Sequence, residues 1–150
     1  MIRTWLRILP LLLLIGSGIL LLEGLPILTE PIIEGLGLPF GTLIAWVGIS
    51  MFPFSILIGI RIIRKPTSQV YRFYNRAFWI LTLLGLAWGG SSYLLAGNWN
   101  YTFSNAESFG GSERAFNIFL IYTSFVISIT LLTFVILGIH HLIINQKHKR

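Results

Sequence analysis

The sequence predicts an all-α membrane protein of four transmembrane helices, arranged as two antiparallel hairpins with the N- and C-termini on the cytoplasmic side. Three observations lead there. First, mean hydropathy is +0.80 and only 11% of the 150 residues are charged, too few polar side chains to cover a globule of this size. Second, the apolar residues gather in four long uncharged stretches, each near the about 20 residues a helix needs to cross ~30 Å of hydrocarbon. Third, the charges segregate. Of the 11 Lys and Arg, only Arg114 falls on the face opposite the others, and the 5 acids (Glu23, Glu30, Glu34, Glu107 and Glu113) lie at or near that opposite face. Loops this short follow the positive-inside rule, which puts both termini inside. The whole chain, 1–150, reads as one membrane domain.

The first span, residues 6–28, follows Arg3 and Arg7, has Trp5 at the interface and runs uncharged over 8–22. A basic start before a leucine-rich core also describes a secretory signal peptide. The stretch after Leu22 carries no small-x-small cleavage site, which favours a retained span. An outer loop at 29–38 follows, in which Thr29 is expected to cap a brief helical turn started by Pro31 and ended by Gly35. The second span, 39–60, is uncharged and contains Pro53, which removes the backbone donor for the carbonyl of Ile49; Ser50 and Ser55 are placed to compensate.

The segment 61–76 is a basic cytoplasmic loop. Arg61, Arg64, Lys65, Arg72 and Arg76, interleaved with Tyr71, Phe73 and Tyr74 and with no acid among them, are expected to meet lipid headgroups. The third span, 77–97, carries Gly85 and Gly89 at GxxxG spacing, a helix-packing signal shared by Ser124 and Ser128 in the fourth. Between them lies the longer outer loop, 98–114, rich in aromatic side chains. Ser112 is placed to cap the fourth span, 115–139, whose helix is expected to continue to Asn145 before the basic end of the chain.

Composition excludes more functions than it suggests. There is no cysteine, so thiol nucleophiles, thiolate metal sites and disulfides are ruled out. His140 and His141 are adjacent and point about 100° apart on a helix, so they cannot clamp one haem iron between them. Every Glu lies at the face opposite these histidines, leaving no His–carboxylate pair for catalysis. The expectation is therefore no enzyme, no cofactor, no metal and no nucleic-acid partner, the positive charge being explained by the membrane.

Glu23, Glu30 and Glu34 form the candidate ion or proton site, since a carboxylate in or beside hydrocarbon is costly unless it has a role. Trp99, Tyr101, Phe103 and Phe109 are the candidate partner contacts on the outer side. The expected function is that of a small accessory or assembly subunit of a larger membrane complex, such as a bioenergetic one, in a bacterial plasma membrane. Its partners would be lipids and either other membrane subunits or further copies of itself. The alternative is a small oligomeric transporter or channel that uses Glu23 as its titratable group.

Overall fold

The computed structural model describes residues 2–33, 35, 37–66, 68–99, 103 and 109–147, and the side chains of these residues except 2–7, 33, 145 and 147. The elements are α1 (Ile2–Glu23), a 3-10 turn (Pro26–Thr29), strands β1 (Pro31–Ile33) and β2 (Leu38–Pro39), then α2 (Phe40–Gly59), α3 (Arg61–Arg64), α4 (Gln69–Ala96) and α5 (Glu113–Lys147). The protein is thus essentially all-α. Helices α2, α4 and α5 are long and apolar enough to cross a membrane, and Ile8–Glu23 of α1 is a shorter apolar helix.

Local chemistry moves several boundaries away from the sequence expectation. The first helix stops at Glu23 rather than running to 28, because Gly24 takes a left-handed φ of 60° and Pro26 then starts a separate 3-10 turn. The following segment is an antiparallel β-hairpin, not a helical turn: Pro31 pairs with Pro39 and Ile33 with Leu38. The two prolines and β-branched Ile32 and Ile33 favour extended backbone, and Gly37 at φ 60° lets the chain reverse. The amide of Phe40 closes the base of the hairpin by donating to the carbonyl of Glu30 at 2.9 Å.

The expected basic loop at 61–76 is mostly helical. α3 holds Arg61–Arg64, and α4 begins at Gln69, with Ser68 accepting from the amide of Tyr71 as its cap. The reason is the spacing of Tyr71, Tyr74 and Phe78, which puts three rings on one face of the helix. There they join Ile56, Leu57, Ile63, Leu81 and Leu137 in the main buried cluster. At the other end of α4, Gly97 adopts φ 75° and ends the helix. Ser112 accepts from the amide of Ala115 at 3.2 Å, capping α5 as its position suggested.

Side-chain contacts fix the arrangement of the helices. Thr42, Trp46, Ser50 and Phe54 of α2 meet Trp99, Gly89, Gly85 and Trp79 respectively, a descending series that makes α2 and α4 antiparallel. Trp88 meets Phe119 and Thr123, and Tyr71 meets His140 and His141, so α4 and α5 are antiparallel as well. α1 lies against α2, with Ser17 beside Gly48. The β-hairpin, Trp99 and the start of α5 therefore share one end of the bundle. α3, Arg72, Arg76 and the histidines share the other.

Candidate functional site

The basic end is built around Tyr71. Its hydroxyl lies 3.4 Å from Nδ1 of His141, and its ring meets His140 edge-on at 6.0 Å. Tyr74 approaches the same His140 at 6.3 Å. The histidines thus tie the end of α5 to the start of α4. Asn75 adds a bond to the carbonyl of Ile63 at 3.0 Å, anchoring α3.

The cations around this core differ in freedom. Arg64 is half-buried and donates to the carbonyl of Ile58 at 3.1 Å, so its guanidinium helps hold the α2–α3 corner. Arg61 and Lys65 are exposed on and just after α3. Arg72 and Arg76 are exposed one turn apart on α4, where with Gln69 and Phe73 they line a groove of about 320 Å3. The aromatic side chains expected together at the headgroups divide: Tyr71 and Tyr74 are buried in protein, and only Phe73, 67% exposed, faces outward.

At the opposite end the expected partner contacts turn inward. Trp99 stacks on Tyr93 at 4.7 Å and on Trp46 at 6.4 Å, while its carbonyl accepts from buried Thr42 at 3.0 Å. The Phe103 ring occupies the space beside Gly41. Phe109 packs edge-on against Phe116 at 5.2 Å and near Phe119 at 6.0 Å. These three rings therefore pack on the end of the bundle, each half-buried. Apolar rings next to open helix ends gain more contact by covering them than by facing outward. Tyr101 lies outside the described residues.

Two of the three acids of the candidate ion or proton site lie among the described residues, and both are exposed. Glu23 is the exposed last residue of α1, where the backbone carbonyls already carry partial negative charge, and is not set within the helix. Glu30 is exposed at the bend before β1. The chain after it is extended, as strand β1. Glu34 itself lies outside the described residues. Among the described residues, no three His or Glu side chains cluster as metal ligands.

The small residues separate into two groups. Gly85 lies on the α2 backbone: a methyl group there would sit 2.9 Å from Cα of Ser50 and 3.0 Å from the carbonyl oxygen of Ile49. That carbonyl is the one Pro53 leaves without its helical donor. Ser50 and Ser55 do not supply the missing donor, since they bond to the carbonyls of Trp46 and Phe52. Gly89 receives the Trp46 indole, whose Nε1–H donates to the carbonyl of Leu86 at 2.9 Å. Ser124 and Ser128, by contrast, sit on an outward side of α5. They are exposed and line a groove of about 430 Å3 on α5 between Leu120, Ile121, Phe125 and Ile129.

A second crevice of about 310 Å3 separates α1, α2 and α5, lined by Leu14, Gly18, Gly48, Phe52 and Ile127 together with Ser17. The Ser17 hydroxyl donates to the carbonyl of Leu13 at 2.7 Å, so the crevice offers little to a polar ligand. Sequence reasoning missed the polar clasps between helices, Trp88 to Thr123 at 2.8 Å and Tyr122 to the carbonyl of Leu84 at 2.6 Å. The signal was present, since Trp, Tyr and Thr inside apolar spans seek partners for their polar atoms.

Comparison with protein-family models, with curated proteins and with solved structures gave no match.

Proposed function

We propose that the chain crosses the bilayer four times, with both termini in the cytoplasm of a bacterial cell, and acts as a small non-enzymatic accessory or assembly subunit of a larger membrane complex. The observation that carries this reading is the open face of α5. Only 17% of the most apolar stretch of α5 is buried, against 39% in α4, and its groove combines Ser124 and Ser128 with apolar ridges on either side. Small side chains one turn apart let a second helix approach closely enough for backbone contact, which is how helices associate where lipid removes the hydrophobic drive. A transmembrane helix of a partner subunit is the occupant that fits this face. The separation of Glu23 and Glu30 from His140 and His141 by the length of the bundle supports a non-catalytic role.

Two results are expected. Replacing Ser124 and Ser128 by Leu fills the groove, and should remove stoichiometric partners from a gentle-detergent purification while the chain itself still reaches the membrane. Unchanged co-purification, or purification of the parent chain as a bare monomer, would overturn the reading. Topology has its own test, made clean by the absence of native cysteine. In intact cells, Glu113→Cys should react with a membrane-impermeant maleimide and Lys65→Cys should react only after lysis. Labelling of both from outside, or the reverse pattern, contradicts the proposed orientation.

A further inference from the structure

The face of α4 that carries the groove continues along the helix. Gln69, Arg72, Phe73 and Arg76 lie at its start, and the same face runs on through Ile80 and Leu83, 58% and 59% exposed, to exposed Ala87. From Arg76 to Ala87 the helix rises about 16 Å, close to the thickness of one leaflet of a ~30 Å hydrocarbon core. One helix face therefore presents two guanidinium groups, an amide and a phenyl ring at one end, then an apolar strip one leaflet deep. This order matches an amphiphile with an anionic head and two hydrocarbon chains.

From this arrangement we infer a specific binding site for one anionic phospholipid: Arg72 and Arg76 hold its phosphate, Phe73 covers the glycerol region, and its chains lie along Ile80, Leu83 and Ala87. Charge complementarity selects the head, since Arg donates in a planar fork that suits phosphate oxygens, and no acid lies in the first turn of α4 to compete. The apolar strip selects a lipid over free phosphate. The described cations of the α3 segment do not join it: Arg64 is committed to the carbonyl of Ile58, and Arg61 and Lys65 do not line the groove. The inference rests on α4 crossing the bilayer.

The test uses the full chain reconstituted in liposomes of equimolar phosphatidylglycerol and phosphatidylcholine, floated to establish insertion, then extracted gently for native mass spectrometry. The parent chain should retain one phosphatidylglycerol in preference to phosphatidylcholine. Arg72→Gln with Arg76→Gln should reduce that preference about thirtyfold, as expected for two basic residues near an anionic surface. Arg61→Gln with Lys65→Gln, which removes the same charge from side chains that do not line the groove, should leave it within about twofold, since an exposed charge that grips no single headgroup contributes little to retaining it. Equal loss in both pairs would mean diffuse attraction and overturn the site, as would full retention in the Arg72 and Arg76 variant. Displacement of the lipid by inorganic phosphate would also overturn it, in favour of a free-phosphate site. A parent chain that inserts without lipid preference sinks this inference alone, whereas one that fails to float sinks the membrane-spanning reading with it.

Discussion

Gly85→Ile is expected to destabilise the bundle by about 2–3 kcal/mol, near the upper end for forcing extra carbons into a packed contact. The atoms in the way are Cα of Ser50 and the carbonyl oxygen of Ile49, both backbone, so no side-chain rotation can make room. To accept the substitution, α2 and α4 must separate. Their close approach is also what lets α4 cover the Ile49 carbonyl that Pro53 leaves without a donor. Gly90→Ala on the same helix is the control: among the described residues nothing beyond the local helix backbone lies within 4 Å of the added methyl group, and the change should stabilise by up to about 1 kcal/mol through helix propensity. Unfolding by a denaturing detergent in mixed micelles, followed by far-ultraviolet circular dichroism, reads both variants. Equal midpoints for Gly85→Ile and the parent chain would contradict the α2–α4 contact.

The second large effect is expected at Trp88. Its ring is buried, 3% exposed, between α4 and α5, with Phe119 at 6.0 Å. Its Nε1–H donates at 2.8 Å to Oγ1 of Thr123, which in turn donates to the carbonyl of Phe119 at 2.8 Å. Trp88→Ala leaves a cavity and an unpaired acceptor, and should cost about 3 kcal/mol, at the low end for such truncations. The low end applies because lipid is as apolar as the protein interior, so lost contacts matter more than transfer from water. Trp88→Phe keeps most of the ring and loses the bond, and should cost about 1 kcal/mol, as should Thr123→Val. The double variant should then cost less than the sum of the two, because both remove the same bond. Strict additivity would show that the bond contributes nothing. Trp88→Ala should also raise amide exchange in α5 selectively, since α5 is held chiefly by α4.

Much of the helical content was legible in the sequence, and the reasons are local. The uncharged stretches, Pro53 within the second helix and the cap at Ser112 each follow from one residue and its neighbours. The misreadings were also local in origin. Gly24 reads as an ordinary linker glycine until its φ is known. The pair Pro31 and Pro39 becomes a hairpin only once both strands are extended. The basic segment looked like a loop because its charges were weighed above the spacing of Tyr71, Tyr74 and Phe78. That spacing extends α4 back to Gln69 and buries two of its rings.

The candidate sites were less legible. Trp99, Phe103 and Phe109 read as partner contacts because they are aromatic and sit in a loop, and their packing on Tyr93, Gly41 and Phe116 was not legible there. Gly85 and Gly89 face α2, whereas Ser124 and Ser128 with the same spacing face outward. Glu23 ends α1 and Glu30 follows the 3-10 turn, so Gly24 and that turn put the two acids on different elements.

The sequence by itself determined that the chain is helical and suited to lipid, and that positive charge collects at one end, because hydrophobic length and charge position are properties of the chain. Only the tertiary structure decided which side of each helix meets protein. In water a buried helix face is marked by its contrast with a polar one. In a bilayer both faces are apolar, as α5 shows by burying Phe119, Val126 and Leu137 while exposing Ile121, Phe125 and Leu131. Hydropathy cannot separate them, and the choice falls to shape: where a glycine lets a backbone approach and where an indole finds a hydroxyl.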